Sequence, residues 1–281
     1  MHTEIGTVAE FVEAARLCGS LGEAALAWQA AQDGCGRDRL LSRMHARLDV
    51  MRESAQAGLS PSLRSVSGMV GGQAAKMAKG QAARFGLLDK ACAYALSIAE
   101  YNACMGKIVA APTAGSCGIL PGALLAAQEQ EGFTDDELVL ALFAAAGIGR
   151  IIALQATISG AEGGCQAECG AAAGMAAAAL VQLYGGTPQA AAHACAFALM
   201  NMLGLVCDPV HGLVEVPCVY RNAGGVSQAL CAAQMALCGV ECPIPCDEML
   251  LAMKDVGDAM PPSLRETGEG GCAACHCARR E

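Results

Sequence analysis

The sequence predicts an all-α protein whose helices are joined by Gly-rich loops. Hydrophobic residues make up 54% of the 281 residues, yet aromatic residues make up only 4%. Ala and Gly dominate the apolar fraction, which suits close-packed helices better than strands, since strands favour β-branched and aromatic side chains. Helix-start signals recur along the chain, and no alternating segment of five or more residues indicates a strand.

The helix signals of the first half begin near the N-terminus. Residues 7 to 31 are rich in Ala and Leu with charged residues interspersed, and residues 37 to 53 form the most charged segment. Both patterns predict helices with one solvated face. Ser60-Pro61 predicts another helix start, because Pro is favoured at the first helical position. Thr134 and Glu137 form a capping box ahead of an apolar run.

The second half contains a long uncharged segment. No Asp, Glu, Lys or Arg occurs between Cys169 and Cys207, but residues 185 to 189 interrupt the segment with Gly-Gly-Thr-Pro-Gln. The first piece is shorter than the ~20 residues that a membrane span requires, and the second contains polar residues. A buried helical hairpin is therefore predicted, with Thr187-Pro188 starting its second helix. Asp247-Glu248 predict a further helix start after a proline.

Charge and cysteine content narrow the functional class. The net charge of −9 argues against a nucleic-acid partner, since phosphate binding requires a basic surface. No basic segment precedes an apolar one at the N-terminus, so no secretory signal is expected. Seventeen cysteines then predict a reducing, cytoplasmic location with thiols available for metal. Five cysteines in Ala-rich stretches are predicted to be small core residues: Cys92, Cys104, Cys195, Cys231 and Cys238.

Three other cysteines lie where the helical pattern breaks. Cys165 follows two glycines, Cys207 precedes an Asp-Pro pair, and Cys218 follows a proline. Turns of this kind allow several thiolates to point at one position. Three thiolates suit an iron–sulfur cluster that normally takes four, which leaves one iron open to a substrate. A metal site with an open position is typical of catalysis rather than of structural support.

Gly-rich loops predict the substrate contacts. Glycines let the backbone approach a ligand, and free N–H groups with Ser or Thr hydroxyls can hold a carboxylate. The loop at 111 to 122 contributes Thr113 and Ser116, and the loop at 159 to 165 contributes Ser159 and Gly160. Lys76, after the glycines at 68 to 72, and Arg221 are further candidates, although a structural ion pair would explain either residue equally well.

Several of these motifs together resemble a known family. Pro112–Ser116, Ser159–Ala161 with Gly164–Glu168, Gly204–Pro209, and Gly212–Cys218 with Arg221–Ala223 resemble the α chain of the iron–sulfur-dependent L-serine dehydratase. The resemblance extends over nearly the whole chain, as far as residues 264 to 268, and the spacing of the three cysteines fits the family pattern. It implies one α-chain domain over residues 1 to 281.

The family's chemistry is implied along with its fold. The resemblance implies a lyase that converts L-serine to pyruvate and ammonia without pyridoxal phosphate. It also implies a [4Fe–4S] cluster held by Cys165, Cys207 and Cys218, and it adds Asn222 to the predicted substrate contacts. Family members with two chains pair this α chain with a smaller β chain, so a hetero-oligomer with no membrane and no nucleic-acid partner is expected.

The general base is not evident in this chain. The histidines are His2, His45, His193, His211 and His276. His211 is the one histidine between two predicted ligands, but a small residue is usual there in the family. A base must reach the Cα proton of serine within hydrogen-bond distance, so the β chain is expected to supply it.

The C-terminal segment 272 to 281 differs from the family and leaves two hypotheses open. Cys272, Cys275 and Cys277 could form a flexible tail that reaches the open iron as a removable fourth ligand, or a disordered end that binds adventitious metal. Two alternatives for the whole protein also stay open: a pyridoxal-phosphate lyase that uses Lys76 or Lys107, and an iron–sulfur redox sensor whose switch is the tail.

Overall fold

The computed structural model describes residues 5–80 and 85–279, and within them the chain is helical without a strand. This confirms the predicted all-α fold. The α-helices are α1 (Val8–Cys18), α2 (Leu21–Asp33), α3 (Arg37–Ala57), α4 (Gln73–Lys79), α5 (Leu87–Ala103), α6 (Ile119–Glu131), α7 (Asp135–Gln155), α8 (Gly160–Gly163), α9 (Ala171–Leu183), α10 (Pro188–Met202), α11 (Cys218–Leu237) and α12 (Cys246–Ala259). A π-helical turn occupies Gln166–Gly170, and short 3₁₀ turns occur at Val210–Gly212, Pro262–Leu264, Gly271–Ala274 and His276–Arg279.

Side-chain capping signals in the sequence fix the starts of four of the twelve described α-helices, α1, α2, α7 and α10. The Thr134 hydroxyl accepts a hydrogen bond from the Glu137 amide, while the Glu137 carboxylate accepts from the Thr134 amide, so the predicted capping box of α7 is confirmed. Thr187 caps α10 with Pro188 at its first position. The predicted helix over residues 7 to 31 is two helices instead, because Gly19 adopts φ of 95° and ends α1 before α2 begins.

The helix predicted to start at Ser60-Pro61 does not form, so that prediction was wrong. The Ser60 hydroxyl lies 2.9 Å from the Ser62 hydroxyl and caps no helix. The chain runs through turns and bends as far as Gly72, and Arg64 donates to carbonyl oxygens within this segment. A local signal for a helix start is lost here because side-chain contacts hold the segment in a loop.

Helix α4 begins after this loop because a buried carboxylate caps it. Glu100 on α5 is fully buried and accepts hydrogen bonds from the amides of Gly71, Gln73 and Ala74 at 3.1, 3.0 and 3.1 Å. These N–H groups would otherwise lack partners at the helix start. The Gly-Gly segment before Lys76 therefore already binds a carboxyl group of the chain itself.

Helix α9 is the centre of the fold. Every residue of α9 except Gln182 is buried, and it packs against α6, α7, α10 and α11. Its antiparallel neighbour α10 confirms the predicted buried hairpin. The amide of Gly22 donates to Gln182 Oε1 at 2.7 Å, so the one polar residue of α9 is used to fix α2. Small residues throughout α9 let four helices approach it closely.

Helix α7 is the one described helix that is long and apolar enough to cross a membrane by length and composition. Its 21 residues are packed between α2, α3 and α9, and 67% of its most apolar window is buried inside the protein. Burial of that extent is expected of a core helix.

The cysteines predicted to lie in the core divide into two groups. Cys92 and Cys195 are buried as predicted, and Cys104 is half-buried. Cys231 and Cys238 are exposed, so the prediction was wrong for both. Cys231 lies on α11 and Cys238 directly follows the end of that helix.

Two glycines let α6 approach α5. A Cβ at Gly118 would lie 2.2 Å from the carbonyl oxygen of Ala95, and one at Gly122 would lie 2.9 Å from the carbonyl oxygen of Ala91. Both obstacles are backbone atoms, which cannot rotate away as a side chain can. The pair of glycines therefore fixes how closely these helices pack, and Gly118 also ends the loop that carries Thr113 and Ser116.

We expect Gly118→Ala to lower the free energy of unfolding by about 1–3 kcal/mol, because the new methyl group forces α5 and α6 apart. Gly224→Ala is the matched control, since nothing lies within 4 Å of a Cβ at that helical position. Ala is the better helix former, so this control should be neutral or gain up to about 1 kcal/mol. Urea denaturation followed by circular dichroism measures both; equal stability of the two variants would contradict the packing argument.

Candidate metal centre

Three separate segments bring Cys165, Cys207 and Cys218 to one end of the helical bundle. Cys165 precedes the π-helical turn that leads into α9, and Cys218 is the first residue of α11. Cys207 lies in an extended segment after α10, where it forms an isolated parallel bridge with Arg265. All three side chains are buried. The turn-rich sequence around each cysteine is what allows the chain to bend there.

The tightest part of this cluster contains a carboxylate as well as thiols. One ligand atom each from Cys165, Glu168 and Cys207 lies within 4.8 Å of the others. Cys218 lies near enough for the charges of Cys165 and Glu168 to affect its pKa. Sulfur-rich donor sets select soft metals such as iron or zinc, so this is a site able to hold a metal.

The thiols of the cluster have very different proton affinities. Hydrogen bonds from the thiols of Cys169 and Cys207, helped by the charge of Arg221, lower the pKa of Cys165 to about 3. The pKa values of Cys169 and Cys207 are raised because each thiol is hydrogen-bonded to Cys165. Burial raises the pKa of Cys218 to about 12. One thiolate is therefore stable in the protein alone, and a cation would be needed to deprotonate the others.

Arg221 supplies the positive charge beside that thiolate. Its Nη1 donates to Cys165 Sγ at 3.4 Å and to the carbonyl oxygen of Val206 at 2.8 Å. Its Nη2 lies 2.7 Å from Asp208 Oδ1, an ion pair without the alignment of a hydrogen bond. Asp208 is buried, and its other oxygen accepts from the Cys272 amide at 2.6 Å. The guanidinium thus touches two of the cysteine segments from its position on the third.

Glu168 is the residue of this cluster to which the sequence gave no role. Burial and the negative charge of Cys165 raise the pKa of its carboxyl to about 7, while a hydrogen bond with Thr113 opposes the shift. A Cβ at Gly160 would lie 2.7 Å from Glu168 Oε2 and 3.2 Å from Cys207 Sγ. The sequence could have indicated this role, because Glu168 lies three residues after Cys165, and that spacing returns a side chain to the same face of a helix.

The sequence of the chain identifies the family to which this arrangement belongs. The family model for the serine dehydratase alpha chain matches residues 8–273, which is nearly the whole protein. The chain belongs to the serine dehydratase α-chain family.

The relatives of this serine dehydratase chain differ in the share of their own length that the match covers. A probable L-serine dehydratase alpha chain of Bacillus subtilis is 48% identical over 247 residues, covering 86% of this chain and 82% of the relative. The L-serine dehydratase alpha chain of Peptoniphilus asaccharolyticus is 47% identical over 240 residues, covering 84% and 82%. L-serine dehydratase TdcG of Escherichia coli is 42% identical over 182 residues, which are 64% of this chain but only 40% of that protein.

The structure brings several predicted substrate residues of this serine dehydratase chain beside the cysteines. The hydroxyls of Thr113 and Ser116 lie 3.1 Å apart, and Thr113 is bonded to Glu168. Ser159 precedes α8, and Gly160, the first residue of that helix, lies against Glu168 and Cys207. Their contact with substrate stays a prediction, but their position at the centre is consistent with it.

Asn222, another predicted substrate contact, is occupied by hydrogen bonds within the protein. Asn222 is fully buried, and its side chain accepts from the Gly118 amide at 2.8 Å and donates to the carbonyl oxygens of Gly115 and Cys218 at 2.8 and 3.0 Å. It therefore ties the loop of Thr113 to the start of α11.

Lys76 is exposed on α4, where its ammonium donates to Gln73, and it lines a cavity of about 400 Å³ that no cysteine lines.

The C-terminal segment begins against the centre. Gly271 adopts φ of 55°, and a Cβ there would lie 2.1 Å from Asp208 Oδ2, so only glycine fits. Cys272 is half-buried, whereas Cys275 and Cys277 are exposed. Residues 280 and 281 lie outside the described part of the chain. The prediction that this tail is flexible and ligates iron stays a prediction.

Gln166 connects the π-helical turn with two neighbouring segments. Its Nε2 donates to the carbonyl oxygen of Met253 on α12 at 2.9 Å, and its Oε1 accepts from the amide of Gly204 at 2.9 Å. The side chain is 1% exposed. It therefore fixes the position of the Cys165 segment relative to the segment that leads to Cys207.

We expect Gln166→Met, which keeps the volume but removes both hydrogen bonds, to lower the iron bound per chain after anaerobic reconstitution at least twofold. Each polar group left unpaired costs about 1–3 kcal/mol, so the melting temperature should also fall. Gln130→Met on the exposed face of α6 is the control and should leave both values unchanged. Full iron content in Gln166→Met would show that Gln166 does not position the ligands.

Proposed function

We propose that this chain is the α chain of an iron–sulfur L-serine dehydratase, a lyase that converts L-serine to pyruvate and ammonia. The observation that carries the proposal is the convergence of three buried cysteines from three segments, in a member of the serine dehydratase α-chain family. The alpha chains of Bacillus subtilis and Peptoniphilus asaccharolyticus, similar over most of their lengths, support the same activity.

The residues present fit a cluster with three protein thiolates. Cys165, Cys207 and Cys218 would hold it, and the cationic Arg221 would offset part of the charge that three thiolates bring. The hydrogen bond with Cys165 raises the pKa of Cys207 and burial raises that of Cys218, so both thiols would lose their protons only when a cation binds. When bound, such a cluster supplies an open iron that acts as a Lewis acid toward the serine hydroxyl.

The residues around the centre have to bind and orient serine. The Thr113 hydroxyl, with the buried Ser116 hydroxyl behind it, can donate to the substrate carboxylate when it turns away from Glu168, and the Gly160 amide beside Ser159 at the start of α8 is a second donor. Gly160 has no side chain, so it leaves room beside Glu168 and Cys207 where a Cβ would collide with the carboxylate. Reaction then requires loss of the Cα proton and of the hydroxyl, after which the enamine tautomerises and hydrolyses to pyruvate.

The base that removes the Cα proton is proposed to come from a β chain. Among the described residues, no histidine belongs to the group formed by Cys165, Glu168 and Cys207. His211 lies in an exposed turn, and His193 accepts a hydrogen bond from the Cys242 amide between α10 and α12. The match to TdcG covers 40% of that protein, which leaves room in a longer relative for a part that a separate chain could supply here.

Single Cys→Ala changes at residues 165, 207 and 218 test the ligand set. We expect each to abolish the brown absorption shoulder and pyruvate formation, because losing one of three thiolates leaves the cluster too few ligands. Cys169→Ala is the sharpest control, since its thiol is bonded to Cys165 but is not proposed as a ligand, and it should keep its iron. Cys92→Ala and Cys195→Ala should do so as well.

The assay is run anaerobically, with and without a candidate β chain. The chain alone should bind iron but form pyruvate slowly, and the β chain should restore turnover. A yellow aldimine band in place of the brown shoulder would identify a pyridoxal-phosphate enzyme instead. Full iron and full rate in any of the three cysteine variants would remove that residue from the ligand set, and full activity without a β chain would place the base in this chain.

Thr113→Val tests the substrate contact. Removing one hydrogen bond to the charged carboxylate costs about 1.5–3 kcal/mol, so kcat/KM for serine should fall at least about tenfold while the iron content stays at the wild-type value. Thr113→Ser keeps the hydroxyl and should retain most of the activity. An unchanged kcat/KM in Thr113→Val would show that the hydroxyl does not contact serine.

A further inference from the structure

A cavity lined by none of the cysteines has a cationic lining. It lies between α2, α3 and α7, has a volume of about 270 Å³, and is bordered by Arg43, Arg47 and Arg150. Asp33 is the one acidic residue of its lining, which leaves a formal charge of +2 on a chain whose net charge is −9. An anion would be repelled by the protein as a whole but attracted to this cavity.

Within residues 5–80 and 85–279, none of the three arginines forms an ion pair with an acidic side chain. Among the described residues, the ion pairs of the chain involve other arginines, including Arg16, Arg37 and Arg52, and none involves Arg43, Arg47 or Arg150. Arg43 and Arg47 are four residues apart on α3, and like charges at that spacing destabilise a helix. Arg47 Nη1 donates to the backbone carbonyl oxygen of Arg43 at 2.9 Å, and this bond leaves the Arg43 guanidinium unused.

The third arginine is fixed by an aromatic ring. The guanidinium carbon of Arg150 lies 4.4 Å from the centre of the Trp28 ring, a cation–π contact that orients the charge on the cavity wall. Trp28 is 8% exposed, and its indole Nε1 is buried without a hydrogen-bond partner among the described residues. Buried donors without a partner are rare. A bound ligand could supply the hydrogen-bond acceptor that the cavity wall lacks.

We propose that this cavity binds a small organic dianion, with Arg43, Arg47 and Arg150 as its charged contacts. Guanidinium groups match carboxylate and phosphate oxygens in geometry as well as in charge. The volume is below the usual range for drug-sized ligands, so it suits a metabolite of a few carbon atoms that carries two anionic groups. The bound dianion neutralises the formal charge of +2 and relieves the repulsion between the arginines.

Trp28 makes the test direct, because it is the single tryptophan of the chain and lines the cavity. The full-length protein is titrated anaerobically with succinate and, separately, with inorganic phosphate, at constant ionic strength set with sodium chloride. We expect a saturable change in tryptophan fluorescence with at least one of the two. Succinate alone would identify a dicarboxylate site, and phosphate alone a site for phosphorylated compounds.

Two kinds of variant locate the binding. Arg43→Gln with Arg47→Gln removes charge and should weaken the affinity at least tenfold; Arg39→Gln, on the same helix but outside the lining, should not. Ala146→Phe fills the cavity from α7 without changing charge and should also abolish the response, whereas Ala27→Phe, exposed on α2 outside the lining, should keep it. No saturable response to either anion, or equal affinity in the wild type and the lining variants, would overturn the proposal.

Discussion

The guanidinium of Arg221 is the contact on which the centre depends. It stands one turn after Cys218 on α11, touches the Cys165 thiolate, and binds the chain on both sides of Cys207 through Val206 and Asp208. A charge as buried as this one is tolerated only when it is paired, so the guanidinium, the thiolate and the carboxylate stabilise one another. Removing any one of them leaves an unpaired charge where the three cysteine segments meet.

Neutral hydrogen bonds extend this arrangement to the rest of the helical bundle. Gln166 joins the π-helical turn to α12 and to the segment before Cys207, while Asn222 joins α11 to the loop at Gly115. Each amide is buried and bonded at both its oxygen and its nitrogen, which fixes its orientation. The proposed ligands therefore lie on a rigid frame, as expected of a site that holds reacting groups in a fixed geometry.

The abundance of small residues has a direct structural consequence for this frame. Glycine and alanine at the contacts of α5, α6 and α9 let the helices approach until backbone atoms touch, so the loops at one end of the bundle are brought close together. A chain with larger core residues would separate those loops. The cationic cavity between α2, α3 and α7 is formed by other elements and contains none of the cysteines, so a ligand there would occupy a site distinct from the metal centre.

Local sequence predicted the all-α fold and singled out the cysteines that are proposed to hold the metal. Capping at Thr134 and Thr187 and the turn-rich setting of Cys165 are short-range properties, since each depends on neighbouring residues. A short-range signal also gave a wrong prediction at Ser60-Pro61, where contacts made by the folded loop prevented a helix.

The tertiary structure alone decided which residues surround the cysteines. Arg221 reaches Cys165 across 56 residues of sequence, and Glu168 acquires a raised pKa only because the folded protein buries it beside a thiolate. Cys231 and Cys238 have the same Ala-rich sequence setting as Cys195 but are exposed, whereas Cys195 is buried. Burial and charge pairing are properties of the packed molecule, because they depend on residues far apart in sequence that only folding brings together.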